Sequence, residues 1–186
     1  MNRRVDQCDS IPTVSFHSRQ GIIAALASAA VLPPDLSVAA TDPSAEDELF
    51  MRIALDEARQ ADFPFGAVIV RDGQVLARGR NLGRTNGDPT AHGEMTAFRR
   101  CLADHGSAAL RGSTLYTSGE PCAMCMGAIL WCRIGRLVFA ASVQQLATVL
   151  DQIMISSADI AAKAPFAPIA ITGGVLADEA MQVFRK

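Results

Sequence analysis

Only one Cys-x-x-Cys occurs in this sequence, at Cys122–Cys125, and there is no His-x-x-x-His pair. A closed structural metal site of four ligands is therefore hard to assemble. Histidine is scarce, with three in the chain: His17, His92 and His105. The apolar run Gly21–Leu32 falls short of the roughly 18 residues that a membrane-spanning helix needs. No acidic or basic run is present, and the net charge of −2 with a pI of about 5.9 gives no overall pull on a polyanion. Internal repeats are absent too. What is there is 186 residues, 49% of them apolar, enough for one ordinary domain with some length to spare.

The spare length lies at the N-terminus. Arg19 precedes the run Gly21–Leu32, then come Pro33, Pro34 and the small residues Ser37-Val38-Ala39-Ala40. This pattern reads as an export signal over residues 1–40, with cleavage near Ala39 or Ala40. Ser18-Arg19-Gln20-Gly21-Ile22 is twin-arginine-like, with glutamine in place of the second arginine. Residues 41–186 would form the mature domain, exported and periplasmic, with no membrane segment. The alternative is a cytoplasmic protein carrying an extension. The four cysteines of the mature part, Cys101, Cys122, Cys125 and Cys132, are not read as disulfides. Cys101 and Cys132 are expected to pack.

The chemistry concentrates in two short stretches, Ala91-His92-Gly93-Glu94 and Glu120-Pro121-Cys122-Ala123-Met124-Cys125. His92, Cys122 and Cys125 are three good zinc ligands. Three protein ligands leave a fourth position open for water, as catalytic zinc requires. Cysteines three apart reach one ion from a single helical turn, and a helix N-terminus favours their thiolate form. Pro121 suits the start of such a helix. Glu94, two residues past His92, reaches the same water without being a ligand. It can act first as base and then as acid. The pattern H-x-E followed by P-C-x-x-C is the signature of zinc deaminases acting on nucleobases. The competing readings of the cysteine pair are a redox couple and half of a structural zinc knuckle.

Periodicity outlines the rest. A helix is expected over Glu46–Gln60, with Leu49, Ile53, Leu55 and Ala58 near one side. Phe65–Val70 and Gln74–Arg80 read as strands joined by an Asp72-Gly73 hairpin turn. A helix over Ala91–Ala103, a strand over Thr114–Ser118 and a helix over Cys122–Trp131 follow. Then come a strand over Leu137–Ala141, a helix around Leu146, a strand over Ile169–Thr172 and a helix over Asp178–Arg185. Strands alternating with helices predict a layered α/β domain. His105 reads as an exposed residue at a helix end.

From about Asp47 to Phe184 the chain resembles the cytidine-deaminase-like superfamily, closest to the branch of bacterial guanine deaminases and tRNA adenosine deaminases. The resemblance rests on Pro64-Phe65-Gly66-Ala67-Val68, Asn81, Asp88-Pro89-Thr90-Ala91-His92-Gly93-Glu94, Leu115-Tyr116-Thr117, Glu120-Pro121-Cys122-Ala123-Met124-Cys125 and Gly127-Ala128-Ile129. It implies a three-layer α/β/α fold, a five-stranded mixed sheet between helices, and a homodimer. It also implies Zn²⁺ on His92, Cys122 and Cys125, a proton shuttle at Glu94, and a base-binding amide at Asn81. Phe65 and Ala67 would line the pocket floor. Gly93 departs from the alanine usual there, and only a small effect is expected of it.

For the substrate, Trp131 resembles the aromatic that walls the base pocket in guanine deaminases; a core or interface tryptophan is the alternative. Asp151 is the nearest carboxylate to where a guanine edge would be held. The segments Arg133–Phe139 and Ile171–Glu179 look more like the tRNA-type enzymes. The pI and the lack of a basic tail after Arg185-Lys186 favour a small-molecule nucleobase or nucleoside over nucleic acid, with guanine leading. The alternatives are a tRNA adenosine deaminase and a non-catalytic zinc-stabilised binding protein.

Overall fold

The computed structural model describes residues 44–186; the export signal expected over 1–40 lies outside them. Helix α1 (Ala45–Arg59) starts at a capping box. The Ser44 hydroxyl accepts from the Asp47 N–H, and the Asp47 carboxylate accepts from the Ser44 N–H. Its buried face is Phe50, Met51, Ala54, Leu55 and Ala58. Leu49, expected on that face, is 58% exposed because the core-facing stripe is set one residue later.

Strands β1 (Gly66–Arg71) and β2 (Gln74–Arg80) form the expected hairpin. A short helix α2 (Gly83–Asn86) follows, unforeseen from the sequence, and then α3 (Gly93–His105). A 3-10 turn at Ser107–Ala109 leads to β3 (Thr114–Gly119), α4 (Ala123–Trp131) and β4 (Arg136–Ala141). The chain ends with α5 (Val143–Leu146), α6 (Ser157–Ala162), β5 (Ala170–Gly173) and α7 (Ala177–Phe184). Pro121 sits just before Cys122, the N-cap of α4, at the helix start as expected.

The five strands form one sheet in the order β2-β1-β3-β4-β5. β1 runs antiparallel to both of its neighbours, β2 and β3, while β3, β4 and β5 run parallel. Side chains alternate across the strands, so each strand feeds two cores. Ala67, Ile69, Leu115, Leu137 and Phe139 pack with Ala97, Phe98 and Cys101 of α3 and Met126, Ile129 and Leu130 of α4. Val68, Val70, Tyr116, Val138 and Ala140 pack on the other face with α1 and α7. This is the three-layer α/β/α arrangement with a mixed sheet.

Two glycines let helices lie directly on the hairpin. A Cβ at Gly66 would sit 2.1 Å from the Ala54 carbonyl oxygen in α1. One at Gly79 would sit 2.2 Å from the Gly93 oxygen in α3. The start of α3 is thereby pressed against β2, and Gly93, next to His92, lies against Phe65 and Gly66 at the start of β1. In a parallel unit such as β3-α4-β4, functional groups collect beyond the carboxyl ends of the strands. Glu120, Pro121 and Cys122 lie there, after Gly119.

Candidate active site

His92 is the N-cap of α3 and Cys122 the N-cap of α4; Cys125 lies in the first turn of α4. The two helix starts meet. His92 Nδ1 is 3.7 Å from Cys122 Sγ and 3.6 Å from Cys125 Sγ, and a ligand atom from each of the three lies within 4.8 Å of the others. Zinc bonds of about 2.3 Å to sulfur and about 2.0–2.1 Å to nitrogen, in a tetrahedron, put nitrogen and sulfur about 3.6 Å apart. The donor set and the spacing therefore fit a zinc ion. Among the described residues this is the one such cluster.

The electrostatics agree. A hydrogen bond with Cys125 pulls the Cys122 thiol down to about 4; burial opposes this and His92 adds to it. Cys125 is pushed the other way, by its bond with Cys122 and by burial. His92 is raised, first by its hydrogen bond with Cys122, against the effect of burial. Three donors held this close share protons that a cation would displace.

Glu94 is on the first turn of α3, 4% exposed. Burial pushes its carboxyl above the usual carboxylate range and the charge of Cys122 adds to the rise, while its own backbone N–H and His92 oppose it. A carboxyl whose charged form is penalised by burial is suited both to take and to give a proton.

Asn81 is 4% exposed and anchored on three sides. Its N–H donates to Phe65 O, its carbonyl accepts from Asp62 N, and its Oδ1 accepts from Gly83 N at 3.0 Å. With Oδ1 engaged, the amide nitrogen is left to donate. Asn81 and His92 line one cavity of about 340 Å³, together with Phe63, Gly83, Arg84 and Pro89. The Phe65 ring lies parallel to the His92 imidazole, centroids 6.4 Å apart and 10° between planes.

Three expected substrate residues are not gathered here. Ala67 has no accessible surface; it points into the core between the sheet and α3/α4, so it supports the floor and does not face the cavity. Trp131 ends α4, nine residues past Cys122, and stacks on Phe166 at 4.9 Å while 72% exposed. Asp151 is exposed on the irregular stretch between α5 and α6 and does not line the cavity. Gly93 also corrects an expectation. A Cβ there would lie 2.8 Å from the Phe65 carbonyl oxygen, so glycine is required by backbone contact and its effect is not small. Phe63 and Arg84 were missed; their only signal was a position beside Pro64 and a turn-rich segment.

Glu120 was quoted in the motif without a role. Its buried carboxylate accepts from Val143 N at 2.8 Å and Ser157 N at 2.7 Å, the first residues of α5 and α6. Its own N–H donates to Ala141 O at the end of β4.

Comparison with known proteins agrees with this geometry. Over 78 residues the chain is 51% identical to guanine deaminase of Bacillus subtilis, covering 42% of this chain and 50% of that protein. It is 40% identical over 100 residues to the tRNA-specific adenosine deaminase of the same organism, covering 52% and 62%. The match thus spans about half to three-fifths of these curated relatives. Among solved structures, guanine deaminase from Nitrosomonas europaea superposes with a TM-score of 0.67 at 26% identity, over 83% of this chain and 92% of the other. The family model described as the cytidine and deoxycytidylate deaminase zinc-binding region matches residues 44–141, more than half the chain and all of the His92, Glu94, Cys122 and Cys125 constellation. By that match and by its metal-ready site, the chain belongs to the cytidine and deoxycytidylate deaminase zinc-binding family.

Proposed function

We propose that this protein hydrolytically deaminates a free nucleobase or nucleoside, with guanine the leading candidate. The observation that carries the reading is one cavity holding the Asn81 amide and His92, with the buried Glu94 two residues along the same helix start. Zinc held by His92 Nδ1, Cys122 Sγ and Cys125 Sγ would supply Lewis acidity that brings the pKa of water towards neutrality. Glu94 takes a proton from the attacking water. It gives that proton to the ring nitrogen, then takes the remaining proton from the new hydroxyl on the ring carbon and gives it to the departing amine. The water oxygen ends as a ring carbonyl and the nitrogen leaves as ammonia. Asn81 fixes the ring through its amide nitrogen, and Phe65 buttresses His92.

Guanine draws support from the two guanine deaminases among the relatives and from a pI of about 5.9, which gives no general attraction for a phosphate backbone. The tRNA-specific relative supports a second reading, deamination of adenosine in a structured RNA. A non-catalytic binding protein would have no need of Glu94.

Homodimer formation, implied by the family, draws support from α4. Met124, Gly127, Ala128 and Trp131 recur at helical spacing on its outer side, and Met124 and Trp131 are exposed. Export to the periplasm remains part of the proposal, and mass measurement of the mature N-terminus tests it.

Ammonia release across guanine, adenine, cytosine, their nucleosides and an anticodon stem-loop tests the reaction. Release from a free base supports the proposal, release from the stem-loop alone favours the second reading, and silence with zinc bound overturns both.

A further inference from the structure

The aromatic wall of the cavity is not the one the sequence suggested. Trp131 is occupied with Phe166 at the far end of α4. Phe63, in contrast, lines the same cavity as Asn81 and His92 and is 51% exposed. Its position follows from the local chain. Pro64 bends the backbone so that the Phe65 N–H reaches back to the Phe63 carbonyl at 2.5 Å, a one-residue turn. Phe65 is sent inward against His92 and Phe184, while Phe63 stays at the mouth.

Phe63 is also braced. The Arg84 guanidinium carbon lies 5.1 Å from its ring centroid, a cation–π contact. Arg84 stands on α2, and α2 is pinned to the Phe63 segment by Asp62. The Asp62 carboxylate accepts from Thr85 N at 2.6 Å and from the Thr85 hydroxyl at 2.9 Å, and the Asp62 carbonyl accepts from Arg84. Among the described residues no carboxylate lies within salt-bridge distance of Arg84; its guanidinium meets the Phe63 ring and the Asp62 carbonyl, with the Asp62 charge further off.

A half-exposed ring held in place beside a buried amide and a metal-ligating imidazole presents a face to whatever enters. A planar heterocycle recognised at its edge by Asn81 needs such a face, and aromatic stacking tolerates many bases. We propose that Phe63, braced by Arg84, is the stacking wall and a specificity-determining residue of this cavity, selecting flat aromatic rings over other amidines.

This inference rests on the reading of the cavity as a substrate site, and binding tests it separately from turnover. The zinc-loaded Glu94→Gln protein is titrated with guanine and with 2-aminopurine, whose fluorescence is quenched by stacking. Phe63→Leu in that background is expected to weaken binding about tenfold and relieve the quenching, with zinc content unchanged. Phe63→Tyr is expected to restore both, and Arg84→Gln to weaken binding about threefold. Equal affinity and quenching with leucine at position 63 would overturn the proposal, as would failure of the parent protein to bind either base. Binding without turnover in the unsubstituted chain would sink the deamination reading and leave the wall standing.

Discussion

At the scale of the residue, two neighbours in α3 divide the work of the site. Glu94 is the sole carboxyl on the first turn of α3, and it is buried. Glu94→Gln keeps the shape and removes the proton carrier. Activity should fall by at least about a thousandfold, with zinc stoichiometry by metal analysis unchanged. Loss of zinc in that variant would show Glu94 to be holding the metal site together instead. Gly93 acts through backbone. Gly93→Ala must move the Phe65 carbonyl, only 2.8 Å from the new methyl group, and Phe65 carries the ring beside His92. The expected cost is about 1–3 kcal/mol in thermal or denaturant unfolding, with a drop in turnover. An alanine variant as stable and active as the parent would mean that β1 can shift freely.

At the scale of the element, Glu120 joins pieces that chain order keeps apart. One carboxylate holds the first N–H of α5 and that of α6, and the same residue precedes Pro121-Cys122. Replacing it with alanine leaves two buried N–H groups without their charged acceptor. About 3 kcal/mol of stability should be lost, and proteolysis should speed up within residues 147–156. Glutamine, which keeps one acceptor oxygen, should recover part of this. No sequence pattern could have announced that link, because its partners lie 23 and 37 residues away. The strands, by contrast, were legible. Val68, Ile69 and Val70, or Val138, Phe139 and Ala140, carry the alternation that two opposed cores demand. The metal ligands were legible because their chemistry restricts residue type and spacing. Phe63 was not: an aromatic before proline carries no mark of facing a cavity until α2 closes over it. Trp131 and Asp151 are the converse case: residue type suggested a role, and the fold places both outside the cavity lining.

At the scale of the molecule, the sheet has a chemical end and a structural end, and they should respond to different treatments. The metal cluster pins the starts of α3 and α4 to each other. Chelation should lower the melting temperature and make Cys122 and Cys125 reactive to a thiol reagent, and zinc should reverse both. The other end is governed by Asp47. Its side chain is 2% exposed and takes a bidentate bond from Arg136 at 2.7 and 2.9 Å, a bond from the Tyr116 hydroxyl at 3.0 Å, and the Ser44 N–H. Burial pushes its carboxyl up, but Arg136, Ser44 and Tyr116 outweigh this and hold it at about 2, below its ordinary 3.8. A carboxylate with a depressed native pKa binds fewer protons when folded than when unfolded. Its contribution is therefore complete above about pH 4 and disappears as pH falls towards 2. Denaturant unfolding of the protein should show a stability loss over that window that Asp47→Asn flattens. The variant should also be less stable by roughly 3 kcal/mol at neutral pH, where Arg136 loses its partner. Zinc content at neutral pH should be unaffected, because Arg136 begins β4 while the metal ligands lie beyond the opposite ends of the parallel strands. If Asp47→Asn instead released zinc at neutral pH, the two ends of the sheet would be coupled through β3 and β4.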